Sequence, residues 1–519
     1  MKSSKECKTS KKLGHIRAAT ALLSVTFIIS AINSRAQSPA VSVPQPDRFT
    51  GNPRVAIISD IGNEPDDQMS FVRLLLYSNE LDLEAMVAST STWLKNATHA
   101  ETMHALVQAY GQVREHLLLH AKGWPRADDL DQRVYSGQPG YGMDSTGKGK
   151  SSPGAAAIAK AIERDDPRPL WVCIWGGANT LAQALIDLRA RHTRDEMEKL
   201  VARIRVYSIS DQDDAGPWMR REFPSLFYVV KPSTPDSAEY YYATWTGISG
   251  DLLYHSGYGA DTSLVTNEWL DQHIRSIGPL GKLYPRIMYI MEGDTPSFLN
   301  LLDNGLNAYR RPDWGGWGGR YVYRKPYGES HRIWSQGGSE LASVTSQDTV
   351  IGVDGREYTS DQATIWRWRA AYQNDFAARM DWTIKDFAHA NHNPELVVNG
   401  QAGTAPLEMD AEPSQTIVLN ANGSKDPDSQ ALHYKWFVYP EAGLEGTHEA
   451  DVSVGNAEEP RAIVSVKSPC VPSRIPSDVP CQGEGVAHII LAVTDNGSPP
   501  LTSYRRVILH VHPPADLAK

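Results

Sequence analysis

Val55-Ala56-Ile57-Ile58-Ser59-Asp60-Ile61-Gly62-Asn63-Glu64-Pro65-Asp66-Asp67 is the stretch on which the fold turns. Its opening run is apolar without alternation, the pattern of a strand covered on both faces. Beyond the polar loop, Phe71, Leu74, Leu75 and Leu76 fall on one side of a helix read from Ser70 to Ser78. The same alternation recurs downstream. Leu83–Ala88, Leu117–Leu119, Leu170–Trp175, Arg205–Ile209, Phe227–Val230 and Arg286–Met291 read as strands, and Thr102–Tyr110, Ala155–Arg164 and Leu181–Arg191 as helices. Strand alternating with helix predicts an α/β domain over residues 50–392, a mostly parallel open sheet with flanking helices.

The texture changes at Asn393-Pro394 and Gly400–Pro406, which read as a linker. Beyond it, Thr416–Leu419, His433–Val438, Ala462–Val466, His488–Val493 and Arg505–Val511 are short β-type runs separated by turn residues. They predict a smaller all-β, immunoglobulin-like sandwich over 396–515. Two domains also suit a chain of 519 residues with 41% hydrophobic and 22% charged residues.

A mean hydropathy of -0.40, with one apolar run near the start, excludes a polytopic membrane protein. A formal charge of -10 argues against a nucleic-acid partner. Lys2, Lys5, Lys8, Lys11, Lys12 and Arg17 precede the apolar run Ala18–Ile32, and Ser34-Arg35-Ala36 ends in a signal-peptidase pattern. Residues 1–36 are therefore expected to be an export signal. Its removal takes seven basic residues and one acidic residue, leaving a mature charge of -16 and no stable membrane association. A secreted or periplasmic protein is expected, and a homo-oligomer is compatible with the composition. Cys470 and Cys481 lie close together in a loop-like stretch, and a disulfide between them suits an oxidising compartment. Cys173, inside an apolar run, reads as a buried small residue.

Polar residues gather just after the apolar runs: Asp60–Asp67, Ser89–Trp93, Gly176–Asn179, Ser210–Asp214, and Glu292 with Asp294. In an open α/β sheet the carboxyl ends of the strands line the ligand crevice, so five such loops point to one site. Asp60, Glu64, Asp66 and Asp67 lie within eight residues. A helix N-terminus explains the two first-turn acids, Asp66 and Asp67. Four carboxylates call for a hard cation, and Ca2+ takes six to eight oxygen ligands. The spacing is not that of an EF-hand.

These residues resemble the nucleoside hydrolase family, in which an Asp after the first strand precedes an Asp-Asp pair and an apolar helix. Gly176-Gly177-Ala178-Asn179-Thr180-Leu181-Ala182 resembles that family's Gly-Pro-Leu-Thr-Asn-hydrophobic-Ala turn, and Glu292-Gly293-Asp294-Thr295-Pro296 stands where the family has its late His-Asp. With Asp313-Trp314-Gly315-Gly316-Trp317-Gly318-Gly319-Arg320, nearly the whole mature chain is similar to a bacterial subfamily. That subfamily comprises cellulose-binding proteins with a nucleoside-hydrolase-like domain and a C-terminal β-domain. The resemblance implies a calcium ion on Asp60, Asp67, the Asn179 carbonyl and Asp294, with Asp60 also the base that activates water. Asp66 would hold a sugar hydroxyl, and Asn63, Glu64 and Asp213 are counted with it as substrate contacts.

Two departures bear on the chemistry. The loop holds five residues between Asp60 and Asp66, two more than in the family. With the insertion after Asp60, Asp60 takes the base position. With the insertion elsewhere, that position falls to Gly62. The place of Asp60 directly off the strand favours the first. The family's late His is replaced by Glu292-Gly293, so nucleobase recognition does not carry over. Glu292 is the leading candidate for the acid that protonates the leaving group, with Asp213 and Asp214 behind it.

Trp314 and Trp317, set among glycines, suit a sugar-stacking platform, with Trp93, Trp218 and Trp245 as further candidates. Asp426, Asp428 and Asp495 in the β-domain suit either a structural calcium or turns, and turn chemistry is the favoured reading. Two functional readings follow: an exported calcium-dependent glycoside hydrolase acting on plant or microbial glycans, furanosides among them, and a non-catalytic carbohydrate-binding protein. A periplasmic nucleoside hydrolase is a third.

Overall fold

The computed structural model describes residues 43–233, 237–255, 257–337, 346–471 and 483–513. The expected export signal and Cys481 lie outside the described residues. Cys470 is disulfide-bonded, and Cys173 is buried and free.

The sheet contains β1 (Arg54–Ser59), β2 (Asp82–Ala88), β3 (Val134–Ser136), β4 (Leu170–Ile174), β5 (Ile204–Ser208), β6 (Phe227–Val229), β7 (Val322–Arg324) and β8 (Ile333–Ser335). Its strand order is β3-β2-β1-β4-β5-β6-β8-β7, parallel except for the β7/β8 pair. The first helices are α1 (Pro65–Leu75), α2 (Ala100–His120), α3 (Ala127–Asp131), α4 (Pro153–Glu163), α5 (Asn179–Arg189), α6 (Arg194–Val201) and α7 (Ala215–Glu222). Alternate residues of β1 face opposite layers. Val55 and Ile57 join a core with Phe71, Leu74, Leu106 and Tyr110, from α1 and α2. Ala56 and Ile58 join a core with Ile158, Leu181 and Leu185, from α4 and α5. That two-sided burial is why the strand reads as an unbroken apolar run.

The order reverses between β1 and β4, which pair in parallel from Arg54–Leu170 to Ile58–Ile174. From β1 the chain moves outward to β2 and β3 on one side, and from β4 to β5 and β6 on the other. The loops that leave these two strands diverge and open a crevice at their carboxyl ends.

Two expected strands are absent. Leu117–Leu119 is the last part of α2, where Leu117 is buried while Leu118 and Leu119 are exposed. Three adjacent leucines resemble a buried strand, but on a helix only one of them can face the core. Arg286–Met291 is irregular, with Met288 and Tyr289 exposed and only Ile290 and Met291 buried.

Beyond the sheet, the strands Leu407–Ala411, Thr502–Val511, Gly485–Thr494 and His433–Val438 form one layer in that order. Thr416–Asn420, Arg461–Ser468 and Asp451–Gly455 form a second. Leu419, Ala462 and Val464 meet Trp436, Ile489, Leu491 and Val507 between them, the packing of a β-sandwich. Asp426 accepts from the backbone N–H groups of Asp428 and Gln430, and Asp495 from those of Gly497 and Leu501, so both serve their turns.

Candidate functional site

The crevice between β1 and β4 is where the acidic loop sits. Pro65 opens α1, with Asp66 and Asp67 in its first turn, where the helix N-terminus favours negative charge. Asp67 is pinned by the Ser59 hydroxyl, which donates to its Oδ1 at 2.5 Å. Asp60 is pinned by the Ser91 hydroxyl from the loop after β2, donating to Oδ2 at 2.5 Å. Gly176, from the loop after β4, lies against Asp60: a Cβ there would stand 2.6 Å from Oδ1.

Asp66, Asp67 and Asp294 offer carboxylate oxygens within 4.8 Å of one another. This trio differs from the expected ligand set, because Asp66 joins it and Asp60 stands beside it. Asn179 is the first residue of α5 and is fully buried. Its N–H donates to Asp213 Oδ2 at 3.0 Å and its side-chain amide to the Gly140 carbonyl at 2.8 Å. It therefore braces the loop next to the carboxylates.

Burial raises every acid in this group. Asp60 rises to about 6 although the Ser91 hydrogen bond pulls the other way. Burial and then the charge of Asp60 lift Glu64 to about 7, and burial with the charges of Glu64 and Asp60 lifts Asp66 to about 8. Asp67 and Asp294 are pushed well above the carboxylate range by burial and by their neighbours' charges. Asp213 rises to about 7 through burial, against the backbone donors it serves. Carboxylates crowded out of water resist ionisation, and a hard divalent cation relieves that. The donor set fits one: Asp60 Oδ1 and Asp294 Oδ2 are buried with no hydrogen-bond partner among the described residues.

The remaining expected site residues divide. Asn63 is exposed and Glu64 half-buried at the rim, and Trp93 is exposed beside Ser91. Asp213, in the loop after β5, is buried and accepts from the N–H groups of Asn179 and Ala215, which ties its loop to the start of α5. Glu292 does not serve as a free acid. It is fully buried in an ion pair with Arg73, at 2.5 Å, and accepts from the hydroxyls of Tyr284 and Thr295. Thr295 Oγ1 also accepts from the Ser70 hydroxyl at 3.0 Å, so the Asp294 loop is tied to α1 twice. Trp314 and Trp317 are buried too and form no platform. Trp314 packs against His488, Val486 and Ile508 of the sandwich, and Trp317 against Tyr372 and Tyr504. The glycines between them allow close packing at that junction: a Cβ on Gly315 would stand 2.4 Å from the Tyr439 hydroxyl oxygen.

The expected candidates Trp93 and Trp245 both lie against Tyr240, and Tyr241 lies against Tyr254; sequence reasoning missed these three tyrosines. The run Tyr240-Tyr241-Tyr242 was the available signal.

Comparison with known proteins follows the same division of the chain. Residues 54–321 match the family "Cellulose-binding Sde182, nucleoside hydrolase-like domain", and residues 416–511 match "Cellulose-binding protein Sde0182, C-terminal domain". A solved nucleoside hydrolase-related hypothetical protein from Saccharophagus degradans, described as associated with carbohydrate metabolism, is 33% identical. The match covers 89% of this chain and 100% of that one, with a TM-score of 0.71. A PKD domain from KIAA 1837 protein is 18% identical over 22% of this chain and 86% of its own, with a TM-score of 0.15. Among curated proteins there is no significant match. With one family description spanning the switch-point sheet, a second spanning the sandwich and one homologue matching both, this chain belongs to the Sde182 family of cellulose-binding, nucleoside-hydrolase-like proteins.

Proposed function

We propose that this chain is an exported carbohydrate-binding protein whose sugar site is the carboxylate crevice, charged by a calcium ion on Asp66, Asp67 and Asp294. The observation that carries the reading is the convergence of those three carboxylates within 4.8 Å at the switch point of the sheet. A calcium ion there supplies a fixed positive charge that takes sugar hydroxyls as oxygen ligands and acidifies bound water. Ser59 and Ser91 orient Asp67 and Asp60 by donating to them. Asp60 keeps Oδ1 free to accept a proton from a hydroxyl or a water. Glu64 and Asn63 stand at the rim, within the same loop.

That free oxygen favours a second reading on the same site, hydrolysis of a glycosyl bond with Asp60 as the base. Release of reducing ends from soluble glycans separates it from binding alone. Both readings are tested by calorimetry of calcium into metal-free protein. Wild type is expected to bind one ion, and Asp67→Ala to lose at least tenfold in affinity. Equal affinity in the two proteins, or none in either, would overturn the assignment.

A further inference from the structure

We propose that His120 and His392 form a proton latch between the α/β part and the sandwich. Their two imidazoles share one extra proton, and the contact weakens in both acid and alkali.

His120 is the last residue of α2, and His392 follows the helix Arg369–Asp381 on the way into the sandwich. His120 Nδ1 and His392 Nε2 face each other at 2.9 Å. The second nitrogen of each ring is engaged as well. His120 Nε2 lies 3.0 Å from the Lys385 carbonyl oxygen, and His392 Nδ1 lies 3.0 Å from Asp428 Oδ1. Asp428 belongs to the sandwich turn at 426–430, and its Oδ2 accepts the backbone N–H of His392 at 2.8 Å. The His392 side chain is 6% exposed and that of Asp428 14%. Trp382 stacks on both imidazoles, at 5.2 and 5.3 Å, and Phe387 stacks on His392 at 3.8 Å. The helix so fastened reaches the crevice at its other end, where a Cβ on Gly62 of the acidic loop would stand 2.6 Å from the His99 ring.

Hydrogen counting fixes the charge of the pair. A carbonyl and a carboxylate only accept, so His120 Nε2 and His392 Nδ1 each carry a hydrogen. Between the facing nitrogens one donates and the other accepts, which needs a third. Two neutral imidazoles hold only two, and one contact would be empty. Two imidazoliums would set N–H against N–H. One positive charge is therefore shared across the pair and balanced by Asp428. Burial holds the His120 imidazole below its usual value, against the Lys385 hydrogen bond, which suits a pair that takes one extra proton. The other charged groups nearby are engaged elsewhere or hydrated. Asp386 binds His389 at 2.6 Å, the Lys385 ammonium binds Asp381 at 2.7 Å, and Asp426 accepts from the N–H of Asp428. His116, one turn back on α2, is exposed.

In the unfolded chain the two histidines titrate independently at about pH 6.5. Below that, the unfolded chain holds two protons and the folded pair one, so acid favours unfolding. Above it, the unfolded chain holds none and the folded pair one, so stability falls as pH rises. The contribution is a bell centred at about pH 6.5. Each limb approaches a tenfold loss in the folding constant per pH unit until the folded pair itself titrates.

Urea midpoints of the full chain from pH 5 to 8 test this, with the double variant His120→Gln/His392→Gln as baseline. Wild type relative to that baseline should trace the bell. His120→Gln should keep only the alkaline limb, because the remaining ring holds its proton for Asp428. His392→Gln should keep only the acid limb, because the remaining ring stays neutral. In wild type alone, imidazole nitrogen shifts at pH 6.5 should place three protons on the pair, a count that decides the matter if a variant does not fold. A flat or one-limbed wild-type profile, loss of the same limb in both single variants, or two or four protons on the pair would overturn the proposal.

Discussion

Glu292 holds a left-handed φ of 56° while fully buried, a backbone state that costs a non-glycine residue roughly 1–2 kcal/mol. Its carboxylate repays that by neutralising Arg73 and accepting from Tyr284 and Thr295. The residue thus locks the Asp294 loop to α1, the helix that carries Asp66 and Asp67. Glu292→Gln should strand a guanidinium in the core and lower the unfolding free energy by about 3–5 kcal/mol, read from the urea midpoint. Adding Arg73→Met should recover part of that loss. The sequence placed Glu292 in the right loop but could not reveal its role, because its partner lies 219 positions away. Asp60, Asp66, Asp67 and Asp294 were legible for the opposite reason: three share one short loop, and a carboxylate cluster announces itself. The rings were legible only in part: Trp93 and Trp245 stood among the stacking candidates, whereas Tyr240 and Tyr254 come from separate loops that no sequence spacing links.

At the scale of elements, β1, β2, β4 and β5 were readable because strands buried on both faces spell continuous apolar runs. The end of α2 and the irregular Arg286–Met291 segment were not, since burial there is set by what packs opposite. The loop after β4 shows how tightly the crevice is built. A Cβ on Gly177 would stand 2.6 Å from the Thr90 carbonyl oxygen and 2.7 Å from Asp213 Oδ2. The carbonyl belongs to the backbone of the neighbouring loop and has little room to yield. Gly177→Ala should therefore cost about 1–3 kcal/mol by overpacking, measured as a fall in the urea midpoint.

Across the whole molecule, the α/β part and the sandwich are joined through buried polar contacts. Arg320 and Arg367 both bind Asp348, which also accepts from Tyr439. Arg506 donates to the carbonyls of Leu306 and Gly315 and to His488 Nδ1, at 2.7 Å. Burial, and then the charges of Arg506, Arg311 and His510, hold the His488 imidazole well below its usual value, so it is neutral in the fold. The unfolded chain takes up that proton first as pH falls. The stability this contributes is complete above pH ~6.5 and is lost on acidification, at about 1.4 kcal/mol per pH unit until the folded group titrates. Melting temperature followed from pH 7.5 to 5 should fall less steeply in His488→Gln than in wild type. The junction has a consequence for how such a protein can be assembled from parts. Trp314 is sealed by His488, Val486 and Ile508, and Arg506 by carbonyls of the opposite half. A cut at Asn393 would leave bare indole on one fragment and a stranded cation on the other. The sandwich is no portable cassette: grafted onto a foreign enzyme, it would need the Pro312–Gly319 segment to travel with it.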